Sequence, residues 1–182
     1  MNLGTGIAAG IVVRGELVEG AHGAAGEVGY LVSSAAALAS LPAGSAPLEE
    51  VIGGRGVETW ASAELGEPVT MAGLMTRNDS GGALTSLRQR FLAEVGVLVA
   101  NLTIVFDPDL VVLGGGLMRS GERVLASVRD AIGRAAPFEA EVVPAHFGAE
   151  SALFGAGASA LDLGRAPASV QSATRRPTGA PD

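Results

Sequence analysis

Apolar residues along this chain follow two rhythms, short unbroken runs and longer stretches spaced by three and four. The first run follows directly on Leu3-Gly4-Thr5-Gly6 and covers residues 7–13. Arg14-Gly15 reads as a turn and residues 16–19 as a short returning strand. After a Gly/Ala segment at 20–26, residues 28–32 form another strand candidate. The pattern therefore predicts a three-strand meander. Residues 33–47 are rich in Ala, Ser and Pro and read as a loop. At Pro47 the pattern turns helical, with Pro in a first-turn position and Glu49 and Glu50 at the positive end of the helix dipole. Gly53, Gly54 and Gly56 interrupt it, and a second helical stretch runs to about Leu65. Thr70 fits an N-cap for a short helix over 71–75.

The clearest helical signal spans 82–105. Leu87, Phe91, Val95, Leu98, Leu102 and Val105 recur at spacings of three and four. Its second half is apolar all round, which predicts a buried central helix. Asp107-Pro108 ends it, because a residue before proline avoids the helical region. The run at 110–113, followed by Gly114-Gly115-Gly116, reads as a buried parallel strand entering a turn. A helix carrying Val124, Leu125, Val128 and Ile132 follows, then a short strand at 141–144 and a small-residue helix at 151–161, stopped near Gly164. Residues 1–164 read as one α/β domain with a partly parallel sheet, and 165–182 as a disordered tail.

Composition narrows the chemistry. There is no Cys, which removes disulfides, thiol nucleophiles and Cys-based zinc or iron–sulfur sites. All 12 basic residues are Arg, so a P-loop lysine and a Schiff-base lysine are absent. A net charge of −7 argues against nucleic-acid binding by this chain. No apolar run reaches the roughly 18–20 residues of a membrane span, and no signal-peptide pattern opens the chain. The expectation is a cytoplasmic protein. His22 and His146 stand far apart with no metal-ligand spacing, so no metal site is expected.

Two glycine segments carry candidate binding chemistry. The backbone amides of Gly4-Thr5-Gly6 and the Thr5 hydroxyl can donate to phosphate oxygens, or the segment is a plain turn. Gly114-Gly115-Gly116 follows a buried strand and precedes a helix, where open α/β sheets bind ligands, or it is a tight connection. Glu27, in Gly26-Glu27-Val28-Gly29, is a carboxylate in an apolar stretch that calls for a partner, or a solvated strand-end acid. Glu49 has the bland alternative of dipole complementation.

Taken together, Leu3-Gly4-Thr5-Gly6-Ile7, the segment from Gly20 to Gly29, Pro47-Leu48-Glu49, Phe106-Asp107-Pro108 with Val112-Leu113-Gly114-Gly115-Gly116, and Ala152-Leu153-Phe154-Gly155-Ala156 resemble the ROK family of repressors, open reading frames and sugar kinases. The resemblance runs in family order over about residues 3–162. It implies an actin-like, ribonuclease-H-like fold, here its C-terminal lobe. It also implies transfer of the ATP γ-phosphoryl group, with magnesium, to a hexose or N-acetylhexosamine. On that reading Gly4, Thr5 and Gly6 are a phosphate loop and Gly114, Gly115 and Gly116 line the adenosine pocket. Glu27 and Glu49 take sugar hydroxyls. Tyr30 stands where the family carries a His that serves both zinc and sugar. With no Cys in the following loop, no zinc is expected.

The family's first phosphate loop and its catalytic Asp would lie ahead of Gly4-Thr5-Gly6, and the first Asp of this chain is Asp79. The expectation is therefore a sugar- and ATP-binding half-site of a kinase or sugar-responsive repressor. It would have no catalytic residue of its own and would not be competent alone. The alternative is a non-catalytic sugar-sensing or oligomerisation module. Apolar surface that the other lobe would cover predicts a homo-oligomer.

Overall fold

The computed structural model describes residues 1–78 and 81–165. The expected tail lies outside them from residue 166 onward. The chain opens with β1 (Asn2–Leu3) and β2 (Ile7–Ala8), an antiparallel pair in which Leu3 faces Ile7. A second hairpin joins β3 (Val12–Val13) to β4 (Glu16–Leu17). The expected strand over 7–13 is thus two short pieces. β1 provides only two residues, so the chain beyond Ala8 has no β1 partner to hold it straight. The expected third strand at 28–32 is also replaced: Val28–Tyr30 is a 3-10 turn, its entry fixed by Val28 N–H donating to the Gly26 carbonyl (2.7 Å). The three-strand meander is therefore two short hairpins.

The expected loop at 33–47 contains α1 (Ala35–Ala39), N-capped by the Ser34 hydroxyl. Next come α2 (Pro47–Ile52), α3 (Gly54–Leu65) and α4 (Met71–Thr76), the last capped by Thr70 Oγ1 accepting from Gly73 N–H. The helix α5 (Ala83–Phe106) ends where the sequence predicts. Asp107 takes a left-handed conformation (φ 45°), and its N–H closes on Thr103. β5 (Leu110–Leu113) and β6 (Glu141–Pro144) pair in parallel around α6 (Gly121–Ala135), and α7 (Ser151–Arg165) closes the described chain. An isolated parallel bridge, Asn2 to Gly114, ties β1 to β5.

The core gathers against α5. Leu84, Leu87, Phe91, Val95, Leu98 and Val99 are buried, and α6 packs along the same helix with Val124, Leu125, Val128 and Ile132. Ser127 Oγ donates to the Leu92 carbonyl across that contact (3.1 Å). α5 departs from the sequence expectation in one respect. With 24 residues and a mean hydropathy of 1.4 over an 18-residue stretch, it is long and apolar enough to cross a membrane by length and composition. Its buried face is the core of this domain, while Val97, Ile104 and Val105 stay exposed. α7 leaves Leu153, Phe154 and Leu161 exposed. Self-association remains a proposal, with that face as its candidate contact.

Phe91 is fully buried and Val97, on the same helix, is 56% exposed. Phe91→Ala is expected to cost about 3–5 kcal/mol in urea unfolding, and Val97→Ala less than about 0.5 kcal/mol.

Candidate functional site

The two glycine segments meet. Leu3 N–H donates to the Gly114 carbonyl (2.8 Å) and Gly114 N–H to the Met1 carbonyl (2.9 Å). This places the turn after β1 beside the turn after β5. Gly115 holds the crossing: its φ is 95°, and a Cβ there would strike the Leu3 carbonyl. Gly114 and Gly115 therefore serve close backbone packing. Gly116 is different, with open space where its Cβ would be.

A cleft of about 420 Å³ lies between these turns and the helices. Gly4, Thr5 and Gly116 line it, with Gly54 and Arg55 from the first turn of α3 and Met75 from α4. Gly4 N–H is taken by the Gly6 carbonyl (3.0 Å), and the Gly4 carbonyl accepts from Gly54 N–H (2.9 Å). The loop is thereby pinned to the start of α3. Among the described residues, the amides of Thr5 and Gly6 meet no acceptor and stay available to an anion. Glu58, also on this cleft, is engaged: its Oε1 accepts from Met71 N–H (2.7 Å) and so locks α3 to α4.

A second cavity, about 370 Å³, holds Thr5, Glu49, Glu50, Arg55, Thr59 and Trp60. Thr5 and Arg55 line both spaces. Glu49 has a structural task here. Its Oε2 accepts from the Ile7 N–H (3.1 Å), joining α2 to β2. A Cβ on Gly6 would lie 2.6 Å from that oxygen, so a glycine at 6 lets the carboxylate approach. Gly29 of the 3-10 turn lies against the same side chain. The structure thus brings the Glu27–Tyr30 segment onto Glu49 through its backbone. Glu27 itself is exposed and makes no capping bond, Tyr30 is 56% exposed, and neither lines either cavity.

Arg55 is the residue the sequence reading missed. Gly53-Gly54-Arg55-Gly56 reads as a helix interruption, whereas in the structure it is the tight start of α3 against the phosphate-loop candidate. Arg77, Arg88, Arg90, Arg123, Arg129 and Arg134 all meet acceptors, Arg90 also lying 4.4 Å over the Trp60 ring. Arg55 meets none among the described residues. The signal was available: in a chain with no lysine, an arginine between glycines beside a binding loop is a candidate anion contact. His22 and His146 lie outside both cavities, His146 edge-on to Phe147. Among the described residues, no three His, Asp or Glu side chains gather to hold a metal. A larger cavity of about 620 Å³ contains none of these site residues and is lined mainly by apolar side chains.

Comparison with known proteins bears on the family and the fold. A family model described as ROK family matches residues 1–162. An N-acetyl-D-glucosamine kinase of Pectobacterium atrosepticum is 35% identical over 132 residues, 66% of this chain and 43% of that protein. The ROK hexokinase of Thermus thermophilus superposes with a TM-score of 0.68 at 28% identity, over 85% of this chain and 53% of that one. A ROK family glucokinase from Streptomyces griseus, in complex with glucose and AMPPNP, superposes at 0.69 with 20% identity, over 82% and 55%, a likeness of fold alone. These neighbours give the chain an actin-like ATPase fold. The chain spans about half the length of the curated relatives it matches.

Gly6→Ala is expected to push Glu49 off the Ile7 amide and cost about 1–3 kcal/mol in chemical denaturation. Glu49→Gln keeps an acceptor oxygen and is expected to cost less than about 1 kcal/mol.

Proposed function

The chain belongs to the ROK family, and we propose that its residues form the sugar- and nucleotide-binding half of a ROK site, not competent for phosphoryl transfer by themselves. The observation that carries this reading is the shared wall: Thr5 and Arg55 separate a cleft bordered by both glycine turns from a cavity bordered by Glu49. A nucleotide in the first would point its phosphates toward a sugar in the second. Relatives named as N-acetyl-D-glucosamine kinase and ROK hexokinase, and a neighbour holding glucose and AMPPNP, support the ligand classes.

The residues present fit the nucleotide. Gly116 leaves open space beside Gly4, the Thr5 and Gly6 amides are available, and Arg55 brings a guanidinium without a competing acceptor among the described residues. ATP, when bound, would supply the phosphoryl group. Magnesium would enter with its phosphates, since no cluster of side chains among the described residues forms a resident site. Zinc is not part of this reading: the chain has no Cys, and Tyr30 stands at the family's His position.

The chain's own groups bind and orient. Glu49 Oε1 accepts a sugar hydroxyl while Oε2 stays on the Ile7 amide, so the sugar contact is made by a carboxylate already fixed in direction. Glu27 and Tyr30 stand on the adjoining turn and line neither cavity, so this reading gives them no contact with a sugar held there. Among the described residues this reading assigns no general base for the sugar hydroxyl. Phosphoryl transfer depends on positioning and electrostatics supplied from both sides of the cleft. Use of ATP would suit a cytoplasmic protein. The same half-site without turnover would serve a sugar-responsive regulator, the second reading.

Calorimetry is the test. AMPPNP with magnesium and a panel of hexoses and N-acetylhexosamines should each give binding heat, with Arg55→Gln weakening AMPPNP about tenfold. Phosphorylation of a sugar by this chain alone, at ordinary kinase rates, would overturn the half-site. An absence of heat with every nucleotide and sugar would overturn the binding assignment.

A further inference from the structure

Midway along α3 stands the only Trp of the sequence, and it is held from two directions. Trp60 Nε1–H donates to the Val51 carbonyl in the last turn of α2 (3.0 Å). The Arg90 guanidinium of α5 lies 4.4 Å over the indole ring, and Arg90 is paired in turn with Glu64, one turn further along α3. The ring is partly buried and packs against the core. An indole fixed in this way loses little side-chain freedom when a ligand meets it.

The 370 Å³ cavity beside Glu49 reaches this ring. Its volume is that of a small-molecule site, in the range of about 300–1,000 Å³. Arg90 does not line it, so the cavity meets the indole away from the face beneath the guanidinium. The Nε1–H is already given to Val51. What Trp60 presents to the cavity is therefore carbon surface with no hydrogen-bonding group. The other walls differ in chemistry. They bring the carboxylates of Glu49 and Glu50 and the hydroxyls of Thr5 and Thr59. Glu49 keeps Oε1 beyond the oxygen that Ile7 N–H occupies. Thr59 Oγ1 donates to the Arg55 carbonyl (2.9 Å), which leaves its lone pairs to accept.

An apolar plane among groups that accept hydroxyl hydrogens suits a ligand with the same two sides. A pyranose ring has hydroxyls around its edge and C–H bonds on its faces. The electron-rich face of an indole attracts weakly positive hydrogens, and carboxylates accept from the hydroxyls at the rim. We propose that Trp60 is the stacking platform of the sugar cavity, taking the C–H face of a pyranose while Glu49 takes its hydroxyls. This assignment rests on the half-site reading above and adds to it a specificity-determining residue on α3. It selects closed sugar rings over open-chain polyols, which carry the same hydroxyls without a flat C–H face.

Calorimetry and proton NMR of the full chain test the platform with glucose, N-acetylglucosamine and the open-chain polyol sorbitol. With one Trp in the sequence, the indole signals are assigned without labelling. A bound pyranose should show transferred NOEs from its ring C–H protons to the indole protons, and sorbitol none. Trp60→Leu should weaken the sugar about tenfold, while Trp60→Phe, which keeps an aromatic face, should stay within about threefold. Urea unfolding of both variants accompanies the binding data, since each loses the bond to Val51. Sugar heat without NOEs to Trp60, or with an unchanged affinity in Trp60→Leu, overturns the platform and leaves the half-site standing. Equal weakening in the Leu and Phe variants makes Trp60 a structural support and overturns the platform as well. An absence of heat with either sugar on the unsubstituted chain overturns the half-site, and the platform with it.

Discussion

The arrangement of the two glycine turns depends on a short ladder of backbone hydrogen bonds: Leu3 to Gly114, Gly114 to Met1, Met1 to Val112. Each such bond adds only on the order of 1 kcal/mol net. Their importance is geometric. They bring a turn near the start of the chain beside a turn more than one hundred residues later, and both candidate ligand loops take their positions from that junction. Glycine at 115 is the condition for it, since the Leu3 carbonyl passes where a side chain would stand.

Around this junction the helices act as clamps. The start of α3 fixes the Gly4 carbonyl, Glu49 of α2 fixes the Ile7 amide, and Glu58 of α3 fixes the start of α4. Charged groups are used here as struts, whereas Arg55, on the candidate cleft, meets no acceptor among the described residues. The rigid base beneath is α5 with α6, where uninterrupted apolar packing resists the local openings that a binding loop must survive.

The sheet is less complete than the helical layer. Its hairpins are two residues per strand. A site on such a sheet has one wall firmly held by helices and another held by short backbone ladders. The same contrast bears on chemistry: residues that bind can be assembled on the firm wall, whereas in-line transfer needs groups from across the cleft.

Most of the helical layer was legible in the sequence, because 3.6-residue periodicity, Pro47, Thr70 and Asp107-Pro108 are local signals read by local physics. So was the parallel strand at 110–113, its apolar run ending at glycines, although the expected burial holds only for Leu113, with Leu110 and Val112 exposed. The ordered motifs also carried the family. The strands at 7–13 and 28–32 were misread because strand formation needs a partner at the right register, and a one-dimensional pattern does not say how long β1 is. Glu49 illustrates the same limit at the site: the residue was identifiable as a candidate acid, but its hold on Ile7 exists only once α2 and β2 meet. Arg55 was hidden among glycines that looked like a break in a helix. What the sequence determined was which segments can coil and which residue types can bind. What only the tertiary structure decided was which backbone groups remain unpaired, since that depends on neighbours distant along the chain.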